Sequence, residues 1–209
     1  MRRRVALLGV AALGGCSLLP SSNYVQRRDW PLDVHRSSVR PARVRGKVLL
    51  VREIRAGPGL DVRGMQWQQR DGSVHVDFYE QWAVPPAQAV EDDVRQWLAG
   101  AGLFSAVIAP GSRLEADYVL EGELQTFIAD PGAGVARVGV AFVLLDQHPL
   151  PIKAVLQRTV RADVKLTGDD APAIAAGATI SDTIRSFIRL LSLYLSATGM
   201  GLAVCDQRL

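Results

Sequence analysis

The sequence predicts an α+β domain: a mainly antiparallel sheet with two helices packed on one face, closing a single core. Three observations predict it. Three long strand-like segments follow one another at residues 117–128, 135–146 and 153–166. An Asp71-Gly72 dipeptide sits between two shorter strand-like runs. Two segments, beginning at Pro86 and near Ala171, carry apolar residues at helical spacing.

The elements follow in order. Lys47-Val48-Leu49-Leu50-Val51 is a short apolar run of the kind a buried strand shows, and Gly57-Pro58-Gly59 is a turn. Residues 66–70 and 73–79 flank Asp71-Gly72, a pair that tolerates positive φ at both positions and so favours a two-residue hairpin. Val74, Val76 and Phe78 alternate with His75, Asp77 and Tyr79, which predicts one buried face. Pro85-Pro86 opens a helix, where a missing N–H costs nothing. Val90, Val94, Trp97, Leu98 and Ala101 fall on one side of it, Glu91, Asp92 and Asp93 lie in its early turns, and Gly100 and Gly102 end it. A short segment at 104–108 leads to the three long strands, separated by Asp130-Pro131-Gly132 and by residues 147–151. In the third strand Leu156, Val160, Val164 and Leu166 alternate with polar residues, so one face is wet, as antiparallel meanders allow. The last element is a helix over 171–195, with Ile180, Ile184, Phe187, Ile188, Leu191 and Leu195 in register.

Upstream of this domain the chain opens Met1-Arg2-Arg3-Arg4, runs apolar over residues 5–13 and reaches Leu13-Gly14-Gly15-Cys16. A basic start, a short apolar core and small residues before a cut make an export signal. The apolar run is about half of the roughly 20 residues that a membrane span requires. A cysteine directly after the small pair has the form of a lipobox. Residues 1–15 are therefore expected to be a signal peptide, and Cys16 the acylated first residue of a mature lipoprotein, carrying diacylglycerol and palmitate-like chains. Several acyl chains hold where one does not, since each buried methylene adds about 0.8 kcal/mol. Ser17, in place of an Asp, points to the outer membrane with the domain facing the periplasm. Residues 16–46, rich in Arg, Ser and Pro, are expected to be a flexible tether, residues 47–196 the domain, and residues 197–209 a tail.

The signal also accounts for the charge. The chain has 24 basic and 21 acidic residues, and three of the basic ones are Arg2, Arg3 and Arg4. The mature part is formally neutral, which removes the electrostatic case for a nucleic-acid partner. With Cys16 acylated, Cys205 is the one remaining cysteine, so no internal disulfide is expected. His35, His75 and His148 are the only histidines, and none lies at ligand spacing from another His, Cys or acid, so no metal site is expected. No nucleophile elbow, phosphate loop or dinucleotide fingerprint occurs. These absences predict neither an enzyme nor a cofactor. Aromatic residues gather near the hairpin instead. Phe78 and Trp97 are expected in the core, whereas Tyr79 and Trp82, beside Pro85 and Pro86, are candidates to face a partner or a lipid.

Gly57-Pro58-Gly59-Leu60-Asp61, Met65-Gln66-Trp67 and Phe78-Tyr79-Glu80-Gln81-Trp82-Ala83-Val84-Pro85-Pro86 together resemble the auxiliary lipoprotein family of ABC-type transport systems. The resemblance continues through Gly102-Leu103-Phe104-Ser105-Ala106-Val107, Ala116-Asp117-Tyr118-Val119-Leu120-Glu121-Gly122 and the late Ala-rich helix. The apolar tail at Gly199-Met200-Gly201-Leu202 departs from it. The resemblance implies a fold similar to the amino-terminal domain of TolB-type proteins. It also implies a partner rather than a reaction: an MCE-domain protein with its permease and ATPase, a set that moves lipids between membranes. Some members of the family form rings, so a homo-oligomer is implied as an alternative to a monomer. On this reading Tyr79, Trp82, Pro85 and Pro86 form the partner-binding surface. The competing expectation is a lipoprotein assembly or secretion factor using a related fold in another envelope complex.

Overall fold

The computed structural model describes residues 24–36, 38–42, 46–148, 150–167 and 171–197, except the side chains of 171–174. The expected signal peptide, Cys16, and the tail with Cys205 lie outside the described residues. In chain order the elements are β1 (Arg28–Trp30), β2 (Val48–Ala56), β3 (Gly64–Gln68), β4 (Val74–Trp82), α1 (Pro86–Ala99), β5 (Ala106–Ile108), β6 (Tyr118–Asp130), β7 (Val135–Asp146), β8 (Lys153–Lys165) and α2 (Ala171–Ala197).

All eight strands join one sheet built on β6. Along one edge β6 pairs antiparallel with β7, from Tyr118 opposite Asp146 to Asp130 opposite Val135, and β8 continues antiparallel beyond β7. The other edge of β6 is divided. Its first half takes β2, parallel, with β5 outside it, and its end takes β3 at Ala129, with β4 and then β1 outside that. The α+β class and the long meander are as expected, but the sheet is mixed rather than mainly antiparallel. The pairs β1–β4, β2–β5, β2–β6 and β3–β6 are parallel. Period-two alternation reports which face a side chain takes and carries no information on the direction of the neighbouring strand. The parallel pairing of β2 with β5 is permitted because the hairpin and α1 together form a crossover long enough to return the chain.

Both helices lie over the sheet, α1 on β2, β5 and β6, and α2 on β7 and β8. Between them sit Leu49, Val51, Leu120, Leu124, Phe142 and Leu144 from the strands, Val90, Val94 and Leu98 from α1, and Ile180, Ile184, Phe187 and Leu191 from α2. Phe142 and Phe187 stack with centroids 4.0 Å apart. Thr179 and Thr183, buried on the same helix, donate their hydroxyl protons to the carbonyls one turn back and so leave no unpaired donor in the core.

Two expectations fail here. The tether does not run free to residue 46. Arg28–Trp30 pairs in parallel with Glu80–Trp82, and Leu32 and Val34 are buried against the domain. The alternation of Trp30, Leu32 and Val34 with exposed Pro31 and Asp33 is a period-two signal too short to stand out in an Arg- and Pro-rich stretch. The second failure is β4, whose Val74, Val76 and Phe78 are exposed rather than core. The pattern was that of a one-sided strand, but neither described helix packs extensively on β4, and its apolar side chains stay exposed.

Candidate functional surface

The N-terminal segment is held to α1 at one residue. Val34 N–H donates to Asp93 Oδ1 at 3.0 Å, and Val34 C=O accepts from Trp97 Nε1–H at 2.5 Å. Asp93 and Trp97 are four residues apart and so project from the same face of α1. Together they satisfy both polar groups of Val34, whose side chain enters the core. Asp93 itself is buried, and among the described residues its Oδ2 has no hydrogen-bond partner. Burial pushes the Asp93 carboxyl up to about 7; Asp33 and Asp92 add to the rise, and the Val34 N–H and His35 oppose it. The acidic trio expected as a charged helix start is thus divided among three tasks. Glu91 accepts from Ile54 N–H, Asp92 pairs with Arg95, and Asp93 grips Val34. Trp97→Phe removes the hydrogen bond to the Val34 carbonyl and leaves a small cavity where the pyrrole half of the indole sat, and the two together are expected to cost about 2 kcal/mol by urea unfolding.

The β3–β4 hairpin places the aromatic candidates. Gly64 pairs with Gln81 and Gln66 with Val76, so residues 77–80 of β4 form an extra loop in the ladder. Asp77 Oδ1 accepts from the N–H groups of Tyr79 and Glu80, which closes that loop. Gly64 lies directly against it: a Cβ there would be 2.4 Å from Asp77 O and 2.5 Å from Val76 Cγ1. The result is that Phe78 and Tyr79 face outward, packed edge to face at 5.2 Å. The Arg27 guanidinium lies 4.4 Å above the Phe78 ring and its Nε–H donates to Phe78 O.

The four expected partner-binding residues do not share one surface. Trp82 is only 3% exposed and packs edge to face on Phe127 at 5.3 Å, and Pro86 is buried as the first residue of α1. Tyr79 is exposed and Pro85, the helix N-cap, is half-buried. Trp82 belongs in the core because the Pro85-Pro86 corner turns the chain inward just beyond it, where the aromatic ring closes the space above β6. Phe78, expected in the core, takes its place outside. Trp97 is in the core as expected.

Beside Trp82 an apolar hollow lined by Met65, Phe127, Ala129, Val138 and Ala176 has a volume of about 20 Å³, room for a water and not for an acyl chain. Among the described residues no group of three or more His, Cys, Asp or Glu side chains is placed to hold a metal ion. His75 is exposed on β4, His148 lies in a turn, and His35 sits 3.2 Å from Asp33.

A family model described as ABC-type transport auxiliary lipoprotein component matches residues 32–183. The chain belongs to the ABC-type transport auxiliary lipoprotein family. The matched span begins at Leu32, the first buried residue of the docked N-terminal segment. Among solved structures, the auxiliary lipoprotein is similar to a Xanthomonas campestris protein of family DUF330, with 20% identity and a TM-score of 0.70 over 83% of this chain and 100% of that one. A hypothetical protein from Chlamydia trachomatis shares the fold at 9% identity, with a TM-score of 0.56 over 73% of this chain and 99% of that one. The PelC dodecamer of Paraburkholderia phytofirmans aligns more distantly, at 20% identity and a TM-score of 0.43 over 71% of this chain and 92% of that one. No curated protein matches the chain. The family is one of transport components rather than of enzymes, and lipoproteins are held at a membrane by their acyl chains. No described helix of the auxiliary lipoprotein is long and apolar enough to cross a bilayer.

Proposed function

We propose that this protein is the outer-membrane-anchored docking subunit of an MCE-type ABC lipid transport system. The observation that carries the proposal is the family match joined to the Leu13-Gly14-Gly15-Cys16 lipobox. A transport auxiliary component whose first mature residue is acylated is a membrane-bound partner of the permease and ATPase rather than a diffusing one. Ser17 supports the outer membrane, and the resemblance over residues 57–122 supports an MCE-domain protein as the component it grips. Cys16 is the lipidation residue in this reading, and the folded domain from residue 28 onward is the part that meets the partner.

The test is recovery from cells after mild crosslinking. The wild-type chain is expected to fractionate with the outer membrane and to bring down an MCE-domain protein. Cys16→Ala is expected to leave a folded domain free in the periplasm and a transport system without activity. Outer-membrane fractionation of Cys16→Ala with transport intact would overturn the reading. Recovery of a secretion channel in place of the MCE protein would assign the subunit to a different envelope complex.

A further inference from the structure

We infer that the exposed hairpin surface formed by Val74, Val76, Phe78 and Tyr79, together with Tyr24 and Val25, lies against the headgroup layer of the lipid surface to which Cys16 is attached. The inference rests on the lipidation reading of Cys16 and adds the orientation of the domain on its membrane.

Exposed apolar side chains concentrate at this site. Of the fourteen large hydrophobic residues that are exposed among the described ones, six belong to it: Tyr24 (89%), Val25 (53%), Val74 (50%), Val76 (43%), Phe78 (64%) and Tyr79 (42%). A contiguous apolar group on a surface marks an interaction site, whereas single exposed residues need no explanation. Aromatic rings with an apolar body and a polar tip favour the interface between hydrocarbon and water, and Tyr79 and Tyr24 have that form.

The path of the chain selects lipid as the occupant. β1 runs parallel to β4 with Arg28 opposite Glu80, so the chain followed back toward its acylated end passes beside Tyr79 and Phe78. Arg27 makes the contact directly, with its guanidinium over the Phe78 ring. Eight residues separate Cys16 from Tyr24, and at full extension, about 3.6 Å each, they span at most about 29 Å. The hairpin is therefore the described surface beside which the chain leaves toward its anchor. The headgroup layer on each side of the hydrocarbon is about 5–8 Å deep, enough to receive two rings and two valines without crossing into the core. Among the described residues Arg27 pairs with no acid, and its Nε–H donates to the Phe78 carbonyl. A guanidinium so placed meets lipid phosphate.

The experiment measures amide hydrogen exchange in the full mature chain, purified with its acyl groups and reconstituted on vesicles of phosphatidylethanolamine and phosphatidylglycerol. The reference is the Cys16→Ser chain in solution. Amides of residues 73–80 are expected to exchange about tenfold more slowly on vesicles, while those of β8 are unchanged. Phe78→Ser with Tyr79→Ser, two exposed positions whose substitution leaves the core intact, is expected to abolish that slowing while the protein stays vesicle-bound. Equal hairpin exchange on and off vesicles, with the acylated protein bound, overturns the inference and leaves the anchor reading standing. Loss of the MCE partner in the double variant, with vesicle protection unchanged, assigns the surface to a protein instead. A mature mass without acyl groups removes the anchor reading and this inference with it.

Discussion

Asp93→Asn is expected to stabilise the domain at pH 8 by about 2 kcal/mol and to leave it nearly unchanged at pH 4. In the folded chain the Asp93 carboxyl is raised from 3.8 to about 7, chiefly by burial. A raised folded value means that the acid's contribution is fully present below its unfolded value and is lost as the pH rises through about 7. The full linkage between 3.8 and about 7 corresponds to about 4 kcal/mol, and water entry and local relaxation reduce it to about half. Asparagine presents the same acceptor oxygen to Val34 N–H and never ionises. Urea unfolding of the wild-type and Asn variants at pH 4, 6 and 8 checks this: the wild-type curve should fall with pH and the variant's should be flatter. Parallel curves would show that Asp93 is solvated and that Val34 is not held by a buried acid. Asp33, Asp92 and His35 lie close enough to shape the curve, so the comparison is made at fixed ionic strength.

Gly64→Ala is expected to destabilise the domain by about 2–3 kcal/mol and to loosen the hairpin first. The added methyl meets Asp77 O and Val76 Cγ1 at 2.4 and 2.5 Å, and the carbonyl is backbone, so no rotamer change relieves the contact. The loop over residues 77–80 must move, and with it the Asp77 acceptor that holds the N–H groups of Tyr79 and Glu80. For a domain of this size the midpoint of thermal unfolding should fall by about 6 °C. An unaltered midpoint would mean that residues 77–80 of β4 are free to move off β3 without cost.

Much of the architecture was legible before the fold was seen. The Asp71-Gly72 turn, the Pro85-Pro86 helix start, the β6–β7–β8 meander and the apolar stripe of α2 are local patterns, set by turn chemistry and by periods of 2 and 3.6 residues. What was not legible depended on neighbours distant in the chain. The Trp82 ring turned inward because Phe127, 45 residues later, lies beneath it. Phe78 turned outward because neither described helix packs extensively on β4. Asp93 looked like one charge in a polar trio until Val34, far upstream, was seated on it.

The sequence by itself determined the elements from β2 onward and, to within two residues, the helix boundaries, because each is written in residues close together along the chain. Only the tertiary structure decided that the sheet is mixed, that residues 28–34 belong to the domain, and which aromatic rings meet solvent. The reason is common to all three. A period reports that a residue has a buried side, and what buries it is supplied by segments whose approach no local pattern encodes.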